Sequence, residues 1–318
     1  MTINRIAQRF PRLVAVIGEE WLLQKQTMAE TFFDQHSCLY QQTESDICLL
    51  EKYVGLKKLI ECYRDPLRDQ GQLLEPVYEI HGAAFLAKAS NRIDLHVPRG
   101  DGGAKNFDVQ AEIKENIVNA DIKTRKDEFP FNLPRKSEGA GGINGFFGSR
   151  PTIDPNDAAE MGIEASPRCP DAHHKTTPES TVIRQILLDG LSQLPVGGCN
   201  LVLFGQIAGS RHDLRQALFG APMLDIIRNL VSKTHRTEWR LSPTGAFSSG
   251  EKGEPFKHLS GVLWFRLMTW EKTLLRAYTL YQNPNADASL PANVTDILDA
   301  VSKEWDTGSE MIEAQEGK

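Results

Sequence analysis

The spacing of apolar residues along the chain predicts a helical N-terminal region. From residue 3 to about residue 74 the apolar positions recur in steps of three and four, which is the period of an amphipathic helix. Thr43, Ser45 and Asp46 are typical of a helix cap before the second helical run. No group of residues with catalytic chemistry stands out in this part, so residues 1–74 are predicted to be a helical N-terminal region.

Residues 75–270 alternate between helical and strand-like patterns, which predicts an α/β core. Many Gly and Pro residues at about 137–179 predict a long loop inserted into this core. Residues 271–318 are predicted to be a C-terminal helical extension and tail. The elements predicted in order are a helix at 77–89, strands at 93–97, 107–113 and 117–124, a helix at 181–194, a strand at 201–204, helices at 214–218 and 223–231, a strand at 259–267 and a helix at 273–280.

The stretch from Phe107 to Arg125 predicts a β-hairpin with two unlike faces. A two-residue turn at Glu115-Asn116 would set Asp108 opposite Lys123. Every side chain on one face is then apolar, as expected for a strand pair that covers a core. The other face carries the polar set, which consists of Asp108, Gln110, Glu112, Asn119, Asp121 and Lys123.

Composition and charge narrow the classes of protein that this chain can form. The hydrophobic fraction of 40% in 318 residues is enough for a core, which excludes wholesale disorder. No apolar run approaches the ~20 residues that span a bilayer, and no secretory signal is expected at the start. Five cysteines without a CxxC pair fit a reducing compartment, so we expect a cytoplasmic protein without membrane contact. The net charge of −6 excludes a basic protein that coats nucleic acid with its whole surface, but it permits a local binding site for nucleic acid.

The polar face of the hairpin has a definite chemical use. Two neighbouring carboxylates repel each other, and a divalent cation relieves that repulsion. Hard cations such as Mg²⁺ prefer oxygen ligands, and a bound cation acidifies water and polarises a phosphoryl oxygen. Asp121 and Lys123 lie on the same face because side chains alternate along a strand. The face therefore predicts metal-assisted chemistry on a phosphate ester.

These residues resemble the PD-(D/E)XK, or restriction-endonuclease-like, nuclease superfamily. Asp108 looks like the first acidic residue of that motif, and Asp121-Ile122-Lys123 looks like its D-x-K. Glu79, on the helix before the first strand, looks like the helical Glu of the family. The predicted order of elements from residue 77 to residue 206 also matches the αβββαβ core.

The resemblance implies a mixed sheet flanked by helices and a metal-dependent endonuclease acting on nucleic acid, most of all DNA. Asp108, Asp121, the backbone carbonyl of Ile122 and Glu79 would then hold Mg²⁺ or Mn²⁺. Lys123 would position the attacking water. The N-terminal helices or the inserted loop are candidates for contact with substrate, with a protein partner or with a second copy of the chain.

The sequence departs from the family pattern in three places. Asn106-Phe107 stands where the family has its Pro, which is not a ligand. The later helix offers Gln185 and Gln193 but no QxxxY, so the exonuclease branch is not supported. A second ExK at residues 112–114 is rejected because its lysine would lie at the tip of the hairpin, although Glu112 itself stays open as an extra ligand.

Two further interpretations of the chain remain open. The hairpin is also compatible with a solvated charged face, in which Lys123 merely pairs with Asp108 or Asp121. The same fold also serves as a non-catalytic module that binds nucleic acid or protein.

Three weaker candidates for functional sites are interpreted as ordinary structure. We expect a polar loop rather than a zinc site at Cys169, Asp171, His173 and His174, and a helix cap at His212-Asp213. We expect core packing rather than base stacking for Trp264, Phe265 and Trp270.

Overall fold

Helices form the N-terminal part of the chain and flank the centre of the protein. The computed structural model describes residues 2–19, 37–64, 75–99, 106–124, 179–206, 211–220, 222–229, 234–241, 244–249, 251–270 and 272–308. Within these residues, no helix is long and apolar enough to cross a bilayer. The helices are α1 (Thr2–Arg9), α2 (Pro11–Ile17), α3 (Ser37–Val54), α4 (Leu56–Tyr63), α5 (Glu75–Ala89), α6 (Glu179–Leu191), α7 (Arg211–Phe219) and α8 (Ala292–Trp305).

A six-stranded mixed sheet lies at the centre, in the order β1-β2-β3-β4-β7-β8. β1 to β3 are antiparallel neighbours, β3, β4 and β7 run parallel to one another, and β8 is antiparallel to β7. β5 and β6 pair as a separate two-stranded sheet. The strands are β1 (Arg92–Pro98), β2 (Asn106–Ile113), β3 (Asn116–Thr124), β4 (Cys199–Gln206), β5 (Pro222–Asn229), β6 (Thr234–Leu241), β7 (Gly261–Trp270) and β8 (Thr273–Gln282). The prediction of an α/β fold with a mixed sheet flanked by helices is confirmed.

The two faces of the sheet are covered by different helices. α5 and the N-terminal helices pack on one face, where Ile122 and Leu203 are buried. α6 and α7 pack on the other face, where Val202 and Phe204 are buried. The alternation along β4 is therefore apolar on both sides, as expected for a strand in the middle of a sheet. In β2 and β3 only the α5 face is apolar throughout, which leaves polar side chains under α6.

The turn of the β2–β3 hairpin lies one residue earlier than predicted. Lys114 and Glu115 form it with positive φ values of 47° and 66°, as in the twisted two-residue turns that hairpins favour. Asn116 is the first residue of β3, and its side-chain amide donates to the carbonyl of Lys114 at 2.8 Å. Val109 therefore pairs with Ala120 instead of Ile122, so the predicted register was wrong. The displacement is two residues, which keeps the paired residues from Val109 to Ala120 on their predicted faces.

Two segments predicted as helices are strands. Residues 273–280, assigned to the helical extension, lie in β8, whose pairing with β7 extends from Trp270–Thr273 to Gly261–Gln282. Residues 223–231 fall largely in β5, which pairs with β6 along its whole length. Both segments are rich in residues that suit either element, and the pairing with a neighbouring strand decides between them. The predicted insertion at 137–179 lies outside the described residues up to its last position.

The predicted helix cap at residues 43–46 was also wrong. Thr43 and Asp46 are buried in the middle of α3. The hydroxyl of Thr43 donates to the carbonyl of Leu39, four residues earlier, at 2.9 Å. Residues of this type favour caps because their oxygens accept backbone N–H groups, but here those oxygens have other partners.

A buried hydrogen-bonded chain joins the N-terminal helices to the core. His81 on α5 is 1% exposed and lies between Asp46 on α3 and Tyr278 on β8. Its Nδ1 is 2.7 Å from the carboxylate of Asp46, and its Nε2 is 2.7 Å from the hydroxyl of Tyr278. Gln42 donates to the other oxygen of Asp46 at 2.7 Å. Three elements distant in sequence are thereby held together by satisfied polar groups.

Candidate active site

The first acidic residue of the predicted motif lies beside the second. Because Val109 pairs with Ala120, Asp108 at the start of β2 is next to Asp121 rather than opposite Lys123. One oxygen of Asp108, Oδ2, accepts the backbone N–H of Ile122 at 2.7 Å. That bond ties the Asp108 carboxylate to the peptide between the two charged residues of β3. The corrected register therefore brings the two carboxylates together.

Asp121 is a fully buried acid, with 0% of its side chain exposed. Its Oδ2 is 2.5 Å from Nζ of Lys123, in an ion pair that lacks the direction of a good hydrogen bond. Burial raises the pKa of Asp121 to about 8, and the negative charge of Asp108 acts in the same direction. The ammonium of Lys123 opposes the rise of this pKa but does not cancel it. Asp121 is thus a carboxylate whose charge is poorly compensated.

Lys123 connects this buried pair with solvent, since 21% of its side chain is exposed. Burial disfavours the ammonium, but Asp121 and Asp108 outweigh that effect and raise the pKa of Lys123. Glu79 on α5 contributes to the same rise and is therefore within electrostatic reach of Lys123. Asp108, Asp121 and Lys123 thus lie side by side, and Glu79 acts on Lys123 through its charge.

Metal coordination is the part of the prediction for which the geometry is incomplete. Among the residues that the structure describes, no three His, Cys, Asp or Glu side chains are grouped as ligands for one ion. Asp108 and Asp121 form an adjacent pair, and Glu79 does not join them as a third ligand. The apolar side chain of Ile122 is buried on the opposite face, so Ile122 can offer the site only its backbone.

Glycine at position 190 allows α6 to lie directly on Asp121 and Lys123. A Cβ atom at this position would be 3.1 Å from Oδ2 of Asp121 and 3.1 Å from Cγ2 of Val202. It would also be 3.3 Å from Cγ of Lys123. These distances are shorter than ordinary carbon contacts. The close approach of α6 at Gly190 is therefore what removes Asp121 from water.

Gln193, just beyond the end of α6, is a site residue that the sequence argument missed. Its amide has one orientation that satisfies both neighbours: the oxygen accepts from Nζ of Lys123 at 2.9 Å and the nitrogen donates to the carbonyl of Asn106 at 3.1 Å. In the sequence, Gln193 is only one of two glutamines of the later helix and belongs to no QxxxY pattern. It lies 70 residues after Lys123 in the chain, and no local pattern signals that the two meet.

The remaining polar residues of the hairpin form a separate network. Gln110 donates to Asn119 at 3.0 Å, and Asn119 donates to Asn200 on β4 at 3.1 Å. Glu112 pairs with Ile117 next to the turn, four residues along β2 from Asp108, and is not brought to the acidic pair. Amides thus satisfy one another at this end of the polar face, and charge is concentrated at the other end.

The weaker candidate residues lie in the core, in the first turn of a helix or outside the described residues. Trp264 and Phe265 are buried at 0% and 1% exposure, so the prediction of core packing is confirmed for both. His212 and Asp213 lie in the first turn of α7. The four candidate zinc ligands lie outside the described residues: Cys169, Asp171, His173 and His174.

Comparison with known proteins assigns no family to this arrangement. No family model, no curated protein and no solved structure matches the chain. The resemblance to the PD-(D/E)XK superfamily accordingly remains a prediction that rests on the residues themselves.

Proposed function

We propose that this protein is a metal-dependent nuclease that hydrolyses phosphodiester bonds in nucleic acid, most of all DNA, on a restriction-endonuclease-like core. The observation that carries the proposal is the meeting of Asp108, Asp121 and Lys123 on β2 and β3, with Glu79 in electrostatic reach. These are the residues that the family resemblance named. The order α5, β1, β2, β3, α6, β4 supports it too, because it agrees with the αβββαβ core.

The acidic pair fits a hard divalent cation such as Mg²⁺ or Mn²⁺. Burial and the neighbouring Asp108 both raise the pKa of Asp121, so the ionised pair lacks positive charge. Carboxylate oxygens are the ligands that Mg²⁺ prefers, and Mg²⁺ keeps several waters, so two protein carboxylates are sufficient. Asp108 and Asp121 would hold the ion with the carbonyl of Ile122. Glu79 is the further ligand expected from the family, although it is not grouped with the two carboxylates. When bound, the ion would acidify a water molecule and polarise the phosphate.

Side chains and helices of the protein would hold the water or phosphate and exclude bulk solvent. Lys123 contacts Asp121 and is partly exposed, so its ammonium can hold a water or a phosphate oxygen. α6 covers Asp121 and excludes bulk water from it, which strengthens each electrostatic interaction there. Because the chain has a net charge of −6, affinity for a polyanion must come from the ion and local basic residues.

A cytoplasmic location remains part of the proposal. It rests on the cysteines, since the four that the structure describes are free thiols. Free thiols persist in reducing compartments.

Cleavage of plasmid DNA with Mg²⁺ and with EDTA tests the proposed activity. The wild-type protein should cleave only with the metal, and Asp121→Ala and Lys123→Ala should each lower the rate by about 100-fold or more. Asp94→Ala and Lys114→Ala are matched controls, because Asp94 lies on β1 and pairs with Arg92, and Lys114 is exposed in the hairpin turn. Equal activity in the Asp121 and Lys123 variants would refute the site assignment.

A non-catalytic binding module on the same fold is the second candidate. It is favoured by the ion pair of Asp121 with Lys123, which balances one carboxylate without a metal, and by the lack of a third acidic ligand among the described residues. Isothermal titration of Mg²⁺ and Mn²⁺ into the purified protein separates the two functions. A protein that neither binds these ions nor cleaves DNA would be a binding module.

A further inference from the structure

Gln193, directly after α6, contacts the ammonium of Lys123. Its backbone N–H bonds to the carbonyl of Gly190, which keeps the residue in a turn directly after α6. Its side-chain oxygen is 2.9 Å from Nζ of Lys123, and its side-chain nitrogen is 3.1 Å from the carbonyl of Asn106 at the start of β2. The amide therefore bridges the two strands that carry the acidic pair.

The hydrogen bonds of the ammonium explain why this bridge matters. A lysine ammonium has three N–H donors at the end of a flexible stem, so a single partner does not fix its position. Asp121 attracts the ammonium through its charge and Gln193 accepts a hydrogen bond from it, so the ammonium still has a donor for a water or a phosphate oxygen. The two partners differ in kind, because Asp121 attracts through its charge and Gln193 is neutral.

This difference becomes important when a cation neutralises the carboxylates. The attraction between Lys123 and Asp121 then weakens, since Coulomb interactions scale with the net charge of the partner. The bond to Gln193 does not depend on that charge, and its bond to Asn106 keeps the amide in the same orientation. The ammonium would stay in place at the moment when the site is loaded for reaction.

We propose that Gln193 is a positioning residue that fixes the ammonium of Lys123 for phosphodiester hydrolysis. The inference rests on the proposed nuclease function for its catalytic part, whereas the contact itself does not depend on that function. Gln193 acts through Lys123 and not on the substrate, so its loss should lower turnover and leave substrate affinity unchanged.

Two measurements on the full-length protein test this role. The first is the ¹⁵N–¹H spectrum of lysine ammonium groups, in which the signal of Lys123 is the one missing from Lys123→Ala. We expect a hydrogen-bonded, slowly exchanging signal in the wild type that Gln193→Leu broadens or removes. The second is steady-state cleavage of DNA with Mg²⁺, in which Gln193→Leu should lower kcat by about 10-fold with KM within twofold.

Two further variants separate positioning from general damage to the fold. Gln193→Glu keeps an acceptor for the ammonium but loses the bond to Asn106, so it should retain the lysine signal. Gln185→Leu is the matched control, because Gln185 is an exposed glutamine on α6 that bonds to Asp189 and does not touch the site. It should leave both readouts unchanged.

The outcomes are distinct for the two proposals. An unchanged lysine signal in Gln193→Leu, or a turnover equal to that of the wild type, would overturn the positioning role. A rise in KM with unchanged kcat would overturn it as well, because Gln193 would then act on binding. If the wild type cleaves nothing, the nuclease function and the catalytic part of this inference fail together, while the lysine signal still decides whether the contact exists.

Discussion

Replacing Asp121 by asparagine should stabilise the metal-free protein at alkaline pH. Asparagine has nearly the same shape as aspartate but carries no charge. Burial and the charge of Asp108 raise the pKa of Asp121 from an ordinary 3.8 to about 8, so the ionised side chain is unfavourable in the folded protein. The substitution removes that penalty and leaves Asp108 as a partner for Lys123.

The pKa of Asp121 sets an upper limit on the gain in the free energy of unfolding. A rise of about four pKa units at ~1.4 kcal/mol each corresponds to about 6 kcal/mol. Little of this is lost to solvent screening, because the side chain is 0% exposed. The attraction of Lys123 is already part of this pKa and is not subtracted again. What offsets the gain is the amide of asparagine, whose N–H groups find no acceptor beside the ammonium, at a cost of about 3 kcal/mol. We therefore expect Asp121→Asn to gain about 2–3 kcal/mol in the free energy of unfolding above pH 8.

The sign of the effect defines its pH window. An acid with a raised pKa binds its proton more tightly in the folded state than in the unfolded state, so stability falls as the pH rises from about 4 to about 8. The raised pKa of Lys123 acts only at more alkaline pH, because this group is charged in both states below its ordinary value of 10.5. The variant should be less stable than the wild type near pH 4, because of the cost of the amide, and more stable above pH 8.

Urea unfolding at a series of pH values in EDTA measures this difference, and the same series with Mg²⁺ measures how far a bound ion reduces it. When the concentration of an ion is ten times its dissociation constant, binding raises the free energy of unfolding by about 1.4 kcal/mol. The wild type should show this gain and Asp121→Asn should not. If Asp121→Asn is less stable than the wild type at pH 8.5 in EDTA, the ion pair outweighs the burial of charge and the reasoning fails.

Three substitutions test the surrounding structure by urea unfolding. Gly190→Ala should lose about 1–2 kcal/mol, because its Cβ would be 3.1 Å from Asp121, and unchanged stability would mean that α6 does not lie so close. Tyr278→Phe should lose about 1–2 kcal/mol because Nε2 of His81 is left without its partner, and a neutral result would show that the buried chain contributes nothing. Replacing Lys114-Glu115 by Asn-Gly should gain about 1 kcal/mol, because both positions have positive φ, whereas a loss would favour the turn at Glu115-Asn116.

The hairpin shows what alternation alone can predict. Period-two patterning assigned Asp108, Asp121 and Lys123 to one face correctly, because that assignment depends only on the strands being extended. It did not identify which residues face each other, since the turn was placed one residue too late. The grouping of the three residues was unaffected by this error. A displacement by two keeps each side chain on its face and brings Asp108 next to Asp121 instead of Lys123.

Elements that depend on distant partners were predicted less well. Residues 273–280 have apolar positions that suit a helix or a strand, and the pairing of β8 with β7 makes them a strand. Asp46 has the character of a cap, but its partner His81 is 35 residues away. Gly190 and Gln193 meet Lys123 only through the packing of α6 on β3. Such contacts leave no periodic trace in the sequence.

The parallel pairing of β3 with β4 joins parts of the sheet that leave the ribosome at different times. β2 and β3, with both carboxylates and Lys123, are synthesised before α6 and β4. Until α6 arrives, Asp121 is in contact with water, and the burial that raises its pKa has not yet occurred. The unfavourable desolvation of a carboxylate is therefore confined to a late docking step of the nascent chain, and a cation present at that moment would favour the docking of α6.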